Sequence, residues 1–159
     1  MNYFELFDIP VSLAVDKASL PKKYFALQKK YHPDFYTQAD ASMQEEVLEK
    51  SSQINKAFKV FQHQQSTIKY VLQLKGLLVE EEKYQLPPDF LMEVMELNEN
   101  LSVGSAGILE SFETTIYSEV KGIIEGYEEG KTGTDELLKV KEYYFNKKYL
   151  QRILERLDD

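Results

Sequence analysis

Apolar residues recur at spacings of three and four along almost the whole chain, with no sustained alternation of apolar and polar positions. A helix turns by about 100° per residue, so this period predicts an all-α protein. Tyr3, Phe4, Leu6 and Phe7 form a short apolar turn closed by Pro10. A second helix is expected over residues 19–31. With Ser19 as N-cap, Pro21 stays in the tolerated first turn, whereas a start at Asp16 would place it deeper at a cost of ~3 kcal/mol. Residues 16–19 then form an irregular turn. A third helix covers residues 44–62, with Val47, Ser51, Ile54, Phe58 and Phe61 on one stripe, and residues 68–74 continue it briefly. The second half holds three more amphipathic segments, 89–101, 106–127 and 134–157. Gly130 and Gly133 are placed to end one helix, and Thr134, followed by Asp135 and Glu136, to cap the next. Three such helices pack most economically as a bundle. Between the halves lie Gly76, the run Glu80-Glu81-Glu82, and the pair Pro87-Pro88, which predict a solvated connector. The expected organisation is therefore one domain over residues 1–75, a linker over 76–88, and a three-helix bundle over 89–159.

The helix expected over 89–101 carries more apolar surface than a bundle needs. With Phe90 at zero, Val94, Leu97 and Leu101 fall within about 40° of it, a complete core stripe. Leu91, Met92 and Met95, with Glu96 and Glu99, lie across or opposite. Either these side chains pack against the first domain or they form an exposed patch for a partner.

Charge narrows the partner classes. The 159 residues carry a net charge of -8, and all of the surplus is C-terminal: residues 1–88 hold 11 acids and 11 bases, residues 89–159 hold 16 acids and 8 bases. A nucleic-acid binder is not expected from such a balance, and protein partners are. No stretch approaches the ~18–20 apolar residues of a membrane span. The first ten residues include Glu5 and Asp8 and no Lys or Arg, which fits neither a secretory signal nor an organelle presequence, so a cytoplasmic protein is expected. Without Cys and with only His32 and His63, neither a thiolate site nor a histidine cage can form, and no metal or other cofactor is expected.

One stretch breaks the acidic trend. Residues 17–31 contain five Lys and no acid. With Lys22 at zero, Lys23, Lys29 and Lys30 fall near 100°, 340° and 80°, while Leu20, Tyr24, Leu27 and Tyr31 cluster between about 140° and 200°. One face is apolar and the opposite one basic, which invites an acidic partner. The helix runs into His32-Pro33-Asp34. Pro33 drives His32 out of the helical region and stiffens the loop, which presents a single carboxylate beside the cationic face. An enzymatic reading would pair His32 with Asp34 as general acid and base. Neighbours separated by proline are expected to point apart, and neither a Ser or Cys nucleophile nor a third partner is evident. A plain helix-breaking connector is the other alternative.

Over residues 22–35, a basic helix leading into a His-Pro-Asp loop, the sequence resembles a J domain. More narrowly, Tyr3-Phe4-Glu5-Leu6-Phe7, Tyr31-His32-Pro33-Asp34, Ile54-Asn55-Lys56-Ala57-Phe58 and Phe90-Leu91-Met92-Glu93-Val94-Met95-Glu96-Leu97 resemble the HscB family, J-domain co-chaperones of iron–sulfur cluster assembly. The resemblance covers nearly the whole chain. It implies an N-terminal J domain, a helical hairpin with its loop, joined to a C-terminal three-helix bundle in an L-shaped molecule that is not an enzyme. Such proteins bind an IscU-type scaffold protein with the bundle. They deliver it to a seventy-kilodalton heat-shock chaperone of the HscA or DnaK type, whose ATPase the J domain stimulates. The resemblance makes His32, Pro33 and Asp34 the stimulating loop and Lys22, Lys23, Lys29 and Lys30 the docking face. It makes Leu91, Met92, Met95, Glu96, Glu99 and, from the last helix, Tyr144 the scaffold contacts. A J-domain co-chaperone for a different client is the nearest alternative. The chain departs from the family pattern at Gln64, Thr67, Ile68 and Asn98, so the segment after His63 is expected to pack in its own way.

Overall fold

A computed structural model of the chain describes residues 1–99 and 106–157, and every regular element among them is helical. They fall into two compact units, Met1–Val71 and Leu72–Asp159.

The first unit begins with α1, Tyr3–Leu6, capped by the Asn2 side chain, which accepts from the Glu5 N–H. Asp8 then adopts a left-handed φ of 53°, which turns the chain towards α2, Leu20–Tyr31. Ser19 stands at the N-cap as expected, with Pro21 in the first turn, but its hydroxyl caps nothing in the helix. It donates instead to the Asp16 carbonyl, at 3.1 Å, inside the irregular turn. A single 3₁₀ turn, Pro33–Tyr36, leads to α3, Ala41–Phe61, which starts three residues earlier than expected because Asp40 supplies the cap oxygen to the Met43 N–H. Tyr24 stacks on Phe58 at 4.2 Å while Gln28, one turn later, reaches back to Ser51 and Asn55, so α2 and α3 run antiparallel. Asn55 Oδ1 is the hub of that seam, accepting from the Tyr24 hydroxyl at 2.7 Å and from Gln28 Nε2 at 2.8 Å.

The apolar faces close over Phe4, Phe7, Leu13, Leu20, Val47, Ile54 and Phe61, all buried. Phe61 takes Phe4 at 4.9 Å and the edge of Phe7 at 5.5 Å. Each such ring contributes about 1.5–3 kcal/mol by leaving water. The helix α4, Gln64–Leu74, starts four residues before the predicted continuation. The hydroxyls of Ser66 and Thr67 support that start: both donate to the Val60 and His63 carbonyls at the break after α3, beside the backbone N–H groups of His63 and Thr67. Thr67 is buried, so one residue that departs from the family pattern has a structural task.

The second unit contains α5, Pro88–Glu99, α6, Ala106–Glu125, and α7, Thr134–Leu157. Pro88 opens α5, a place where its missing N–H is no loss, and Leu101, expected on the same helix, lies outside the described residues. Tyr117 meets Tyr143 and Glu113 meets Lys147, so α6 and α7 are antiparallel. Phe90 of α5 stacks on Phe112 at 5.7 Å and meets Tyr149 edge-on, which ties α5 to both partners. Thr134 is not the cap of α7. Gly133 is: its carbonyl accepts from the Leu137 N–H, and Glu136 reaches back to its N–H at 3.2 Å. Glycine at the cap leaves the capping to a side chain three residues on.

Residues 76–88, expected as a solvated connector, make definite contacts with this unit. Gly76, at φ 71°, closes α4 in a left-handed conformation. Leu78 is buried, Glu80 accepts from Gln73, Glu82 pairs with Lys141 at 2.8 Å, and Tyr84 stacks flat on Phe145 at 4.5 Å. The Lys141 hydrogen bond holds the Glu82 carboxyl below its ordinary value. A second clasp joins Lys75 to Glu129, which also accepts from the Tyr127 hydroxyl, and both donors depress the Glu129 carboxyl.

Candidate functional site

The loop after α2 is built from backbone rules outward. Pro33 leaves His32 extended, at φ -66° and ψ 129°, and the next four residues coil into one tight turn. The Asp34 N–H donates to His32 Nδ1 at 3.2 Å, and the Phe35 N–H to the His32 carbonyl at 3.1 Å. Two side chains from outside the motif close the loop. The Tyr36 hydroxyl donates to the Lys30 carbonyl at 2.7 Å, and Gln44 Nε2, from the first turn of α3, donates to the Tyr36 and Thr37 carbonyls at 3.1 and 3.0 Å. Neither Tyr36 nor Gln44 stands out in the sequence, because their task depends on the return of α3.

Held in this way, the Asp34 side chain is 85% exposed. One expectation needs correcting: His32 and Asp34 do not point apart, since Nδ1 lies 3.6 Å from the Asp34 carboxylate. The turn curls the carboxylate back over the ring. That nitrogen accepts the Asp34 amide proton at 3.2 Å, so the ring is engaged within the loop itself.

The four lysines divide. Lys22, Lys29 and Lys30 are exposed, and neither Lys22 nor Lys29 has an ion-pair partner among the described residues. Lys23 lies at the edge between the basic and apolar faces and is half-buried. Its ammonium reaches the Phe7 and Asp8 carbonyls at 3.5 and 3.3 Å, which the left-handed turn at Asp8 turns towards it. Phe25 and Phe35, both 68% exposed, are on the same unit. Phe25 is not among the residues singled out from the sequence, although with Lys22 at zero it falls near 300°, outside the apolar cluster.

On α5, Phe90 and Val94 are buried, Leu91 and Leu97 are half-buried, and Glu96 is exposed. Met92 and Met95 are 63% and 56% exposed, so burial does not account for them. The Glu99 side chain lies outside what the structure describes. Tyr144 is a correction. At 6% exposure it belongs to the core, on the stripe of α7 that carries Leu137 and Val140, seven and four residues before it. The aromatic side chains with surface on this helix are its neighbour Phe145 and Tyr149.

Comparison with known proteins agrees in both halves. Residues 86–158 match the family described as the HSCB C-terminal oligomerisation domain. The Co-chaperone protein HscB homolog of Vibrio cholerae serotype O1 (strain M66-2) is 37% identical over 102 residues, covering 64% of this chain and 60% of that protein. Co-chaperone protein HscB of Buchnera aphidicola subsp. Acyrthosiphon pisum (strain Tuc7) is 39% identical over 102 residues, covering 64% and 59%. The matched region thus spans about three fifths of the curated relatives' length. Among solved structures, human co-chaperone protein HscB superposes with a TM-score of 0.78 at 27% identity, over 99% of this chain and 81% of that one. Chaperone HscB from Vibrio cholerae gives 0.64 at 28% identity, over 100% and 98%. In sequence and in fold alike, this chain is similar to the HscB co-chaperones.

Proposed function

We propose that this protein is a J-domain co-chaperone of iron–sulfur cluster assembly and transfer. In this reading it binds an IscU-type scaffold protein, delivers it to a seventy-kilodalton heat-shock chaperone of the HscA or DnaK type, and stimulates that chaperone's ATPase. Residues 1–75 are the J domain, 76–88 the connecting segment and 89–159 the scaffold-binding bundle. His32, Pro33 and Asp34 act on the chaperone, and Lys22, Lys29 and Lys30 dock it, with Lys23 holding the N-terminal turn beneath them. Leu91, Met92, Met95, Glu96 and Glu99 meet the scaffold. The protein does no bond chemistry of its own and works in the cytoplasm.

The observation that carries the reading is the Asp34 carboxylate, 85% exposed on a loop clasped by Tyr36 and Gln44 and adjoining a helix face with no acid. A rigid, lone carboxylate is suited to reach into a partner, because little ordering remains to be done on contact. The test is the ATPase of a purified DnaK-type chaperone, with wild type and Asp34→Asn, each with and without an IscU-type scaffold. Asp34→Asn is expected to lose stimulation while melting like wild type. Normal stimulation by Asp34→Asn would reduce the loop to a connector. Stimulation by a wild type that ignores the scaffold would assign the protein a different client.

A further inference from the structure

The face opposite the core of α2 is not a simple lysine stripe. With Lys22 at zero, Phe25 falls near 300°, Lys29 near 340°, Ala26 near 40° and Lys30 near 80°. All five are exposed. An ordinary solvated helix face mixes acids with bases. This one does not: residues 17–31 carry no acid, and a largely exposed aromatic ring stands among the cations. Apart from Met1, Phe25 and Phe35 are the most exposed large apolar side chains among the described residues. The ring of Phe25 touches that of Tyr24 edge-on, with centroids 5.8 Å apart, and lies otherwise on the surface.

Resting on the function proposed above, we propose that Phe25 is the apolar anchor of the chaperone-docking face, seated in an apolar socket rimmed by carboxylates on the heat-shock ATPase. Protein interfaces concentrate their binding energy in a few buried aromatic or arginine anchors ringed by polar groups. Here one ring is surrounded by Lys22, Lys29 and Lys30. Charge complementarity commits the face to an acidic partner. The Asp34 carboxylate argues for a protein over an anionic bilayer, which would repel it. A second copy of this chain would bring lysines against lysines. The division of labour follows: the lysines steer association, and Phe25 sets how long the complex lasts.

Binding of a purified DnaK-type chaperone is measured by titration across a range of salt concentrations for wild type, Phe25→Ala, Asp34→Asn and the pair Lys22→Glu/Lys29→Glu. Circular dichroism checks folding, which a side chain this exposed does not threaten. The lysine pair is expected to weaken binding most at low salt, with an effect that shrinks as the charges are screened. Phe25→Ala is expected to weaken it roughly tenfold at every salt concentration, through faster dissociation, with an unchanged salt slope; a tenfold loss is ~1.4 kcal/mol. Phe25→Ala binding like wild type at high salt overturns the anchor. So does Phe25-dependent self-association in sedimentation, or Phe25-dependent binding to phosphatidylserine vesicles with chaperone affinity unchanged. The wild-type ATPase assay separates the two levels: if wild type does not stimulate the chaperone, the function above falls and the anchor with it, whereas if wild type stimulates while Phe25→Ala binds normally, the anchor alone falls.

Discussion

Replacing Met92 and Met95 together by Ala tests whether α5 presents a surface for a partner. At 63% and 56% exposure, roughly two fifths of each residue is covered. Burying a whole Met side chain contributes about 1.5–3 kcal/mol, so the covered part contributes about 0.6–1.2. The unfolded chain is itself partly collapsed, which removes about a quarter of that figure, and Ala returns about a tenth or two through helix propensity. About 0.5 kcal/mol remains for each position, or ~1 kcal/mol for the pair. Fully buried methionines would cost ~2–5 kcal/mol each, because a cavity adds to the lost transfer energy. Urea titration separates these cases. The same variant, titrated with a purified IscU-type scaffold, is expected to lose binding while stimulating the chaperone ATPase in the scaffold's absence like wild type. A loss of 4 kcal/mol or more, or scaffold affinity equal to wild type, refutes the assignment of this face.

Two further outcomes concern stability. Ser66 and Thr67 donate to the same two carbonyls at the α3–α4 break, so Ser66→Ala or Thr67→Val alone is expected to cost about 0.5–1 kcal/mol in chemical denaturation and the pair about 2–3; strictly additive costs would show that the hydroxyls do not substitute for each other. The Glu82 carboxyl is held below its ordinary value chiefly by Lys141, so its stabilisation is fully present above the ordinary value of 4.5 and is lost as pH falls through the depressed one. Lys141→Met is expected to cost about 1–2 kcal/mol at neutral pH, with the gap to wild type closing on acidification; a gap independent of pH rejects the pairing.

The helices were legible because burial on one side forces a period that survives in any sequence. What was not legible depends on contacts between distant segments. The break after α3 contains neither Gly nor Pro and is stabilised by two hydroxyls, so the spacing of Ile68, Val71 and Leu72 gave no sign that α4 begins at Gln64. The acidic run before Pro87 looked solvated because Lys141 and Phe145, which receive Glu82 and Tyr84, lie some sixty residues further on. The choice between Tyr144 and Phe145 turns on a rotation of about 100°, and three consecutive aromatics leave no local register. Lys23 could be placed at the edge of the basic face by angle, yet its attachment to the Phe7 and Asp8 carbonyls depends on the left-handed turn at Asp8. The His-Pro-Asp loop was legible because proline acts locally, whereas its clasp was not.

That clasp is made by a phenol and a primary amide acting on three main-chain carbonyls. No formal charge takes part, so salt does not release it. Lys22, Lys29 and Phe25 are therefore under no architectural obligation to the loop beside them. On the proposed function, a lineage could exchange them one at a time, altering which chaperone is recognised and how fast, while the geometry of the loop is inherited unchanged. Recognition and triggering, as proposed, would then be separate heritable modules on one hairpin, and the first could diverge without passing through misfolded intermediates.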